Sequence, residues 1–343
     1  MATGARILSS LSRRFHGVTI PLGKRIRAKD KNLRAGIIGL DTSHAVAFAK
    51  LLNNPLVRRE LAGCRIIAAY PQGSPDIPSS VSRVPEYTSQ VQSLGIRIVD
   101  SIEALLEHVD VVFLETNDGR MHLEQVIPVL ESGKPVFIDK PVAGSFADAV
   151  AIYTAAWHHQ VPVFSSSSLR YSEVAQVLRG GTIGEVVGCD AYSPCDLEET
   201  HPDLFWYGIH GVEILFTVMG SGCRRVTRVS NEGTDMVVGT WADGRVGTFR
   251  GIRGGHQGYG CTVFGSKGIV PIRCRAGIRP LLVDILRFFR TGMPPLAYEA
   301  TLEIYNFMDA ADRSKQRGGV QVELANLPDF NKQRLPISRK VGE

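Results

Sequence analysis

The chain of 343 residues has no apolar run near the ~18 residues that a membrane-crossing helix needs, and no closely spaced cysteine pair. Its six cysteines (Cys64, Cys189, Cys195, Cys223, Cys261 and Cys274) are scattered. Without a C-x-x-C spacing, neither a zinc site nor a disulfide framework is expected; reduced thiols, several of them buried, are. Internal repeats and low-complexity tracts are absent, which argues against solenoids and disordered arrays. Net positive charge is confined to the start of the chain. The net charge is +5, but residues 1–34 hold nine Lys or Arg and one acid, Asp30, so the rest of the chain sums to −3. A mildly acidic body gives no basic surface for nucleic acid. Neither a nucleic-acid nor a membrane partner is expected.

The basic leader, residues 1–33, has more than one reading. Ile7, Leu8, Leu11 and Phe15 share one helical face, with Arg6 and Arg13 opposite and serines between. That resembles an organelle transit peptide. Ser12-Arg13-Arg14-Phe15 is similar to a twin-arginine signal, but no apolar stretch follows it. A disordered extension or an overcalled start is the plain alternative. The expected location is cytoplasmic, or an organelle matrix if the leader is a transit peptide.

What the chain has in quantity, from about Arg34 to Ser165, is alternation of short apolar runs with helical spacing. Apolar strands are expected at Arg34–Leu40, Cys64–Tyr70, Ile96–Val99, Val111–Leu114, Pro135–Ile138 and Val161–Ser165. Helices are expected near residues 44–52, 85–92, 102–107, 121–132 and 146–158. In the fourth of these, Leu123, Val126, Ile127 and Leu130 fall on one face and Gly133 closes it. This order specifies a doubly wound parallel sheet. Such sheets take ligands outside the carboxyl ends of their strands. The polar residues that stop the fourth and fifth strands, Thr116, Asn117, Asp139 and Lys140, should therefore share one rim.

The pattern changes after Ser168. Helices are expected near 172–178, 212–219 and 298–317. Strands are expected at 185–193, 225–230, 235–241, 245–250 and 259–264. This reads as a second α+β domain with an open, mainly antiparallel sheet. The expected division is a Rossmann domain over 34–166 and a substrate and oligomerisation domain over 167–343, with copies joined through the open face of its sheet around Val237, Val246 and Phe249.

With these residues assembled, the body resembles the glucose–fructose oxidoreductase/inositol dehydrogenase/MocA family. Gly36-Ile-Ile-Gly39 opens the first unit. Thr116-Asn117, His122 and Leu130-Glu-Ser-Gly133-Lys134-Pro-Val follow a family segment. Asp139-Lys140-Pro141 stands at the family's Glu-Lys-Pro, and Gly208-Ile-His210 at its D-x-G-x-H motif. The resemblance implies a Rossmann domain, an NAD or NADP cofactor, and hydride transfer at a carbohydrate-type carbon. It also implies homo-oligomers, a dimer or tetramer. Lys140 and His210 become the candidates for general acid/base work. Gly39, Thr42, Ser43, Ser74, Thr116, Asn117, Asp139 and Arg170 become the candidates for cofactor binding.

Three departures qualify the match. The run Gly39-Leu-Asp41-Thr-Ser-His44 lacks the second and third glycines of the dinucleotide fingerprint. A carboxylate about 4 Å from a phosphate charge costs on the order of 4 kcal/mol at an effective dielectric of 20. So Asp41 turns away, or the cofactor sits differently, or there is none. The acid expected after the second strand is replaced by Tyr70-Pro71, leaving Gln72-Gly73-Ser74 to hold a ribose. Trp206 stands where the family places an aspartate.

Each candidate has a structural alternative. Lys140 could cap a strand on the surface, and Asp139 could serve backbone donors only. His210 could be a satisfied core histidine oriented by Glu213, Arg170 a salt-bridge residue, and His44 an exposed helix start. His201, Asp203, Trp206 and Tyr207 form a polar-aromatic cluster suited to a sugar-like substrate, or a packed loop with wet edges. No tight ligand spacing points to a metal. The favoured reading is an NAD(P)-dependent oxidoreductase acting on a hydroxylated small molecule. The rival is a non-catalytic binding or regulatory protein that kept the fold after losing the glycine loop.

Overall fold

The computed structural model describes residues 32–330. The expectations for the leader lie outside the described residues, up to residue 31. The first sheet has six parallel strands: β1 (Leu33–Ile38), β2 (Cys64–Tyr70), β3 (Arg97–Ile98), β4 (Val111–Leu114), β5 (Val136–Ile138) and β6 (Val163–Ser165). Their order is β3-β2-β1-β4-β5-β6, so the direction of winding reverses between β1 and β4. The connecting helices are α1 (Ser43–Leu52), α2 (Pro78–Ser93), α3 (Ile102–Leu106), α4 (His122–Glu131) and α5 (Phe146–His159).

Both faces of this sheet are covered, and the strands alternate between two cores. Val111, Phe113 and Phe137 point to the side lined by α1, while Val112, Leu114, Val136 and Ile138 point to the side lined by α4 and α5. This two-residue alternation within an all-apolar run is what a strand buried on both faces requires. On the α1 side the aromatic rings form a chain. Phe48 meets Phe113 at 5.5 Å between centroids, Phe113 meets Phe289 edge-on at 5.1 Å, and Phe164 meets Phe288 at 5.8 Å. Phe288 and Phe289 belong to α8 (Ile278–Thr291), which arrives from far along the chain to close that face. Each such pair adds about 0.5–1.5 kcal/mol beyond its buried area.

The second sheet has seven strands, ordered β12-β11-β7-β10-β9-β8-β13. They are β7 (Val186–Pro194), β8 (Cys223–Ser230), β9 (Thr234–Trp241), β10 (Val246–Ile252), β11 (Gly260–Gly265), β12 (Gly268–Arg273) and β13 (Val322–Glu323). It is mainly antiparallel, as expected, with one parallel pair, β7 with β10. A parallel neighbour requires a crossover, and α7 (Ile209–Met219) supplies part of it. Besides α7, α6 (Glu173–Gly180) and α9 (Tyr298–Gln316) belong to this half. Gly211 of α7 makes the close approach possible: a Cβ there would lie 2.2 Å from Phe249 Cε2.

Three expectations are corrected. The second helix starts at Pro78, not near Pro85. Pro78 occupies the first turn, where a missing N–H costs nothing, and Pro85 is tolerated inside the helix. The strand at 268–273 and helix α8 were not anticipated. Val237 and Phe249, expected on the open face of the second sheet, are fully buried against the helices. The open face carries Val246, as expected, together with Val229, Val238 and Ile269, all exposed. Among the described residues, no helix is long and apolar enough to cross a membrane.

Candidate active site

β1 delivers the chain to the carboxyl edge of the sheet through Gly39, whose φ is +89°. A Cβ at this position would sit 2.4 Å from the backbone N of Thr116, so glycine is required for β1 and β4 to end side by side. Thr42 then caps α1, its Oγ1 accepting from Ala45 N at 3.3 Å. Ser43, the first helical residue, is exposed. Gly39 to His44 and Thr116–Asn117 thus occupy the same rim, as the winding of the strands requires.

Asp41, in place of the second fingerprint glycine, is fully buried and turned onto protein partners. Its Oδ1 accepts from Asn117 N at 2.9 Å and its Oδ2 from Ser80 Oγ at 2.7 Å. Burial pushes its pKa up to about 6 against those hydrogen bonds. Ser74, the ribose candidate, is also engaged. Its Oγ donates to Asp118 Oδ2 at 2.5 Å, and Asp118 pairs with Arg120 at 2.7 Å, which reaches Asp76 at 2.8 Å.

Two further acids stand at the strand ends. Glu115 closes β4 and is fully buried; Thr42 Oγ1 donates to its Oε2 at 3.4 Å. Burial, reinforced by the charge of Asp139, raises its pKa well above the carboxylate range. Asp139 closes β5, with His44 Nδ1 at 2.9 Å from its Oδ2. Burial works to raise the Asp139 pKa, but His44 and Lys140 outweigh it and hold the group low. His44 is therefore buried rather than exposed. His122 is a brace, its Nε2 2.8 Å from the Thr116 carbonyl and its Nδ1 3.3 Å from the Val142 carbonyl.

Lys140 follows, joined to Pro141 by a cis peptide. Its Nζ lies 5.5 Å from the centre of the Tyr207 ring. Burial lowers its pKa, Asp139 opposing and Arg83 reinforcing the shift. The loop beyond it is held from the second half: Val142 N donates to Tyr305 Oη of α9 at 2.5 Å.

The facing wall comes from a π-helical turn, Leu204–Gly208, that runs into α7. Tyr207 meets the His210 ring edge-on at 5.9 Å, and Tyr259 meets His210 at 5.8 Å. His210 Nδ1 lies 2.8 Å from Ser167 Oγ, just past β6. Burial, then the charges of Lys140 and His44, depress the His210 pKa well below its usual value, so the ring is neutral at pH 7. Arg170 pairs with Glu213 of α7 at 2.6 Å, and Ser167 N donates to the same carboxylate at 3.2 Å. His201 stacks at a tilt on Trp206, 5.0 Å between centroids, with its Nε2 3.2 Å from Asp118 Oδ1.

The structure thus gathers Thr42, Thr116, Asn117, Asp139, Lys140, Tyr207 and His210, with His201 and Trp206 flanking. It does not bring in Asp203. That carboxylate pairs with Lys315 and, at 2.7 Å, with the buried Arg228, which also holds Asp235 at 2.8 Å and Asp312. Glu115, Asp118 and Ser167 were not singled out as site residues. The available signals were a charge immediately after an apolar strand and the serine run 165–168.

A nicotinamide dinucleotide finds a partial match in these residues. The ten-residue helix α1 starts at the rim and offers the N-terminus that receives a phosphate. Thr116 Oγ1 and both polar atoms of the Asn117 side chain are buried with no partner among the described residues. Such orphans suit a polar ligand. Asp139 sets the opposing condition, since its negative charge has to be neutralised before an anion approaches, whereas burial keeps Glu115 protonated.

Residues 33–167 match the family described as "Oxidoreductase family, NAD-binding Rossmann fold". Over those residues the chain is similar to the Gfo/Idh/MocA oxidoreductases. An inositol 2-dehydrogenase of Gluconacetobacter diazotrophicus is 31% identical over 137 residues, 38% of each chain. An uncharacterised oxidoreductase of Streptococcus pneumoniae is 26% identical over 121 residues, 34% of this chain and 32% of the other. These alignments span about a third of the relatives' length. Solved structures extend the likeness of fold. The scyllo-inositol dehydrogenase of Lactobacillus casei, with bound NAD(H) and scyllo-inositol, superposes with a TM-score of 0.67 at 14% identity. It covers 85% of this chain and 99% of that one. The WlbA dehydrogenase of Bordetella pertussis, in complex with NADH and UDP-GlcNAcA, gives 0.66 at 16% identity, covering 87% and 99%.

Proposed function

We propose that this protein is an NAD(P)-dependent oxidoreductase that moves a hydride to or from a carbinol carbon of a hydroxylated, sugar-like small molecule. The observation that carries the reading is the Tyr207 ring, which has Lys140 on one side and His210 on another, one group from each half of the chain. The cofactor, NAD or NADP, would supply the hydride acceptor or donor. The family match and the dehydrogenases among the relatives support that part of the reading.

The chain's own residues supply the proton chemistry. His210 is neutral and can take a proton from a substrate hydroxyl as the hydride leaves the carbon. In the tautomer that donates Nδ1–H to Ser167 Oγ, the lone pair sits on Nε2. The Lys140 ammonium holds the oxygen as negative charge develops. Trp206 and Tyr207 offer ring faces to an apolar side of the substrate, which favours a flat polyol such as a cyclitol. In this reading Thr42, Ser43, Thr116 and Asn117 hold the dinucleotide, while Arg170 acts through Glu213 on the placement of α7. The protein would self-associate through the open face of its second sheet.

The test is a titration with NADH and NADPH followed by nicotinamide fluorescence. Saturable binding of either supports the reading. Absence of binding to both, with small polyols still stabilising the fold, would favour the non-catalytic alternative.

A further inference from the structure

The rim holds an arrangement that hydride transfer does not use. His44, Glu115 and Asp139 are all buried, and each offers one ligand atom, all within 4.8 Å of one another. They come from three places: the first turn of α1, the end of β4 and the end of β5. Each carboxylate has one oxygen engaged and one left over. Glu115 Oε2 accepts from Thr42 Oγ1, and Asp139 Oδ2 faces His44 Nδ1, but Glu115 Oε1 and Asp139 Oδ1 have no partner among the described residues. A buried acceptor without a donor costs on the order of 1–3 kcal/mol, and more when charged. Two of them beside one imidazole are accounted for by a shared cation.

We propose that His44, Glu115 and Asp139 bind one divalent transition-metal cation, of the class that includes zinc, manganese and cobalt. One imidazole nitrogen with two carboxylates is a donor set of this class; magnesium and calcium prefer oxygen alone. Metal–ligand bonds of about 2.0–2.2 Å place neighbouring donors roughly 3–3.5 Å apart. His44 Nδ1 and Asp139 Oδ2, at 2.9 Å, stand just inside that spacing, so small shifts of these two and an inward shift of Glu115 complete the set. Three protein ligands leave at least one coordination position open. The cation would displace the Glu115 proton and neutralise Asp139, which otherwise opposes an anion at this rim. The competing neutraliser is Lys140, whose charge acts on both carboxylates. The site stands on protein atoms alone and does not require the dinucleotide.

The test uses the full chain, stripped with a chelator and titrated with Co²⁺ at neutral pH without nucleotide. Calorimetry and visible absorption are read together. The expected result is one equivalent bound, with weak d–d bands and no thiolate charge-transfer band, since the six cysteines lie elsewhere. Glu115→Gln, Asp139→Asn and His44→Gln should each weaken binding by roughly 100-fold or more, with circular dichroism confirming the fold. Wild-type protein that takes up no stoichiometric Co²⁺ or Zn²⁺ overturns the proposal, even where a variant fails to fold. So does undiminished binding in the three variants. Nucleotide is absent throughout, so a negative result here leaves the NADH titration untouched, and the reverse holds too.

Discussion

Ser167 Oγ lies 2.8 Å from Nδ1 of His210, while the Ser167 backbone N–H donates to Glu213 one turn further along the same helix. The end of β6 thereby fixes the angle of the imidazole. Ser167→Ala should lower kcat by roughly ten- to a hundredfold, the scale of a small misplacement, with nucleotide affinity unchanged. Ser167→Thr should restore most of it. Because His210 is depressed well below 6.5, the base stays deprotonated from pH 6 to 8. The profile of kcat/KM should therefore show no acid limb near pH 6.5; an apparent pKa there would mean that His210 titrates normally.

Asp41 makes a stability prediction with a definite sign. Its folded pKa of about 6 lies above the ordinary value of 3.8, so between these values the folded state holds a proton that the unfolded chain has released. Stability from this group is lost as pH rises through that window. A rise of about two units corresponds to about 3 kcal/mol. Asp41→Asn, which removes the titration, should gain on the wild type by that order between pH 4 and pH 7, as read from urea unfolding at each pH. A constant difference would mean that Asp41 is not held protonated.

Arg228 is fully buried among Asp203, Asp235 and Asp312, away from the rim. Arg228→Met takes from Asp312 the cation it pairs with and leaves Asp203 to Lys315 and Asp235 to Arg253; removing one partner of a buried ion pair typically costs about 3–5 kcal/mol. Chemical denaturation should show that loss while NADH affinity stays the same. A change in affinity would tie this network to the site.

Much of the first sheet was legible in the sequence. Val111–Leu114 and Val136–Ile138 are apolar runs cut off by polar residues, and that local pattern marks both the strand and the rim. What was not legible depends on contacts distant in sequence. Period-two alternation showed that Val237 and Val238 face opposite ways, but not which side the helices would cover. Helix α8 has clear apolar spacing, yet nothing local assigns Phe288 and Phe289 to the first sheet. Asp203 looked like part of a sugar-binding cluster because its partner, Arg228, lies in β8, beyond α7. His44, Glu115 and Asp139 have no ligand spacing, since only the winding of the sheet brings them together.

The exposed Val229, Val238, Val246 and Ile269 make the open sheet face the proposed contact between copies. Light scattering at micromolar concentration should give a dimer or tetramer, and Val238→Lys with Val246→Lys should shift it toward monomer. A wild-type monomer would remove this face as an interface.

The most direct test of the catalytic reading is Lys140→Met, assayed for NAD(P)⁺ reduction with a panel of cyclitols and aldoses and for NADH binding in the same preparation. The catalytic reading predicts turnover lower by roughly two orders of magnitude or more, the scale for losing a group that holds the developing negative charge, with the nucleotide still bound. Turnover equal to that of the wild type, or a wild type that binds neither NADH nor NADPH, would contradict it.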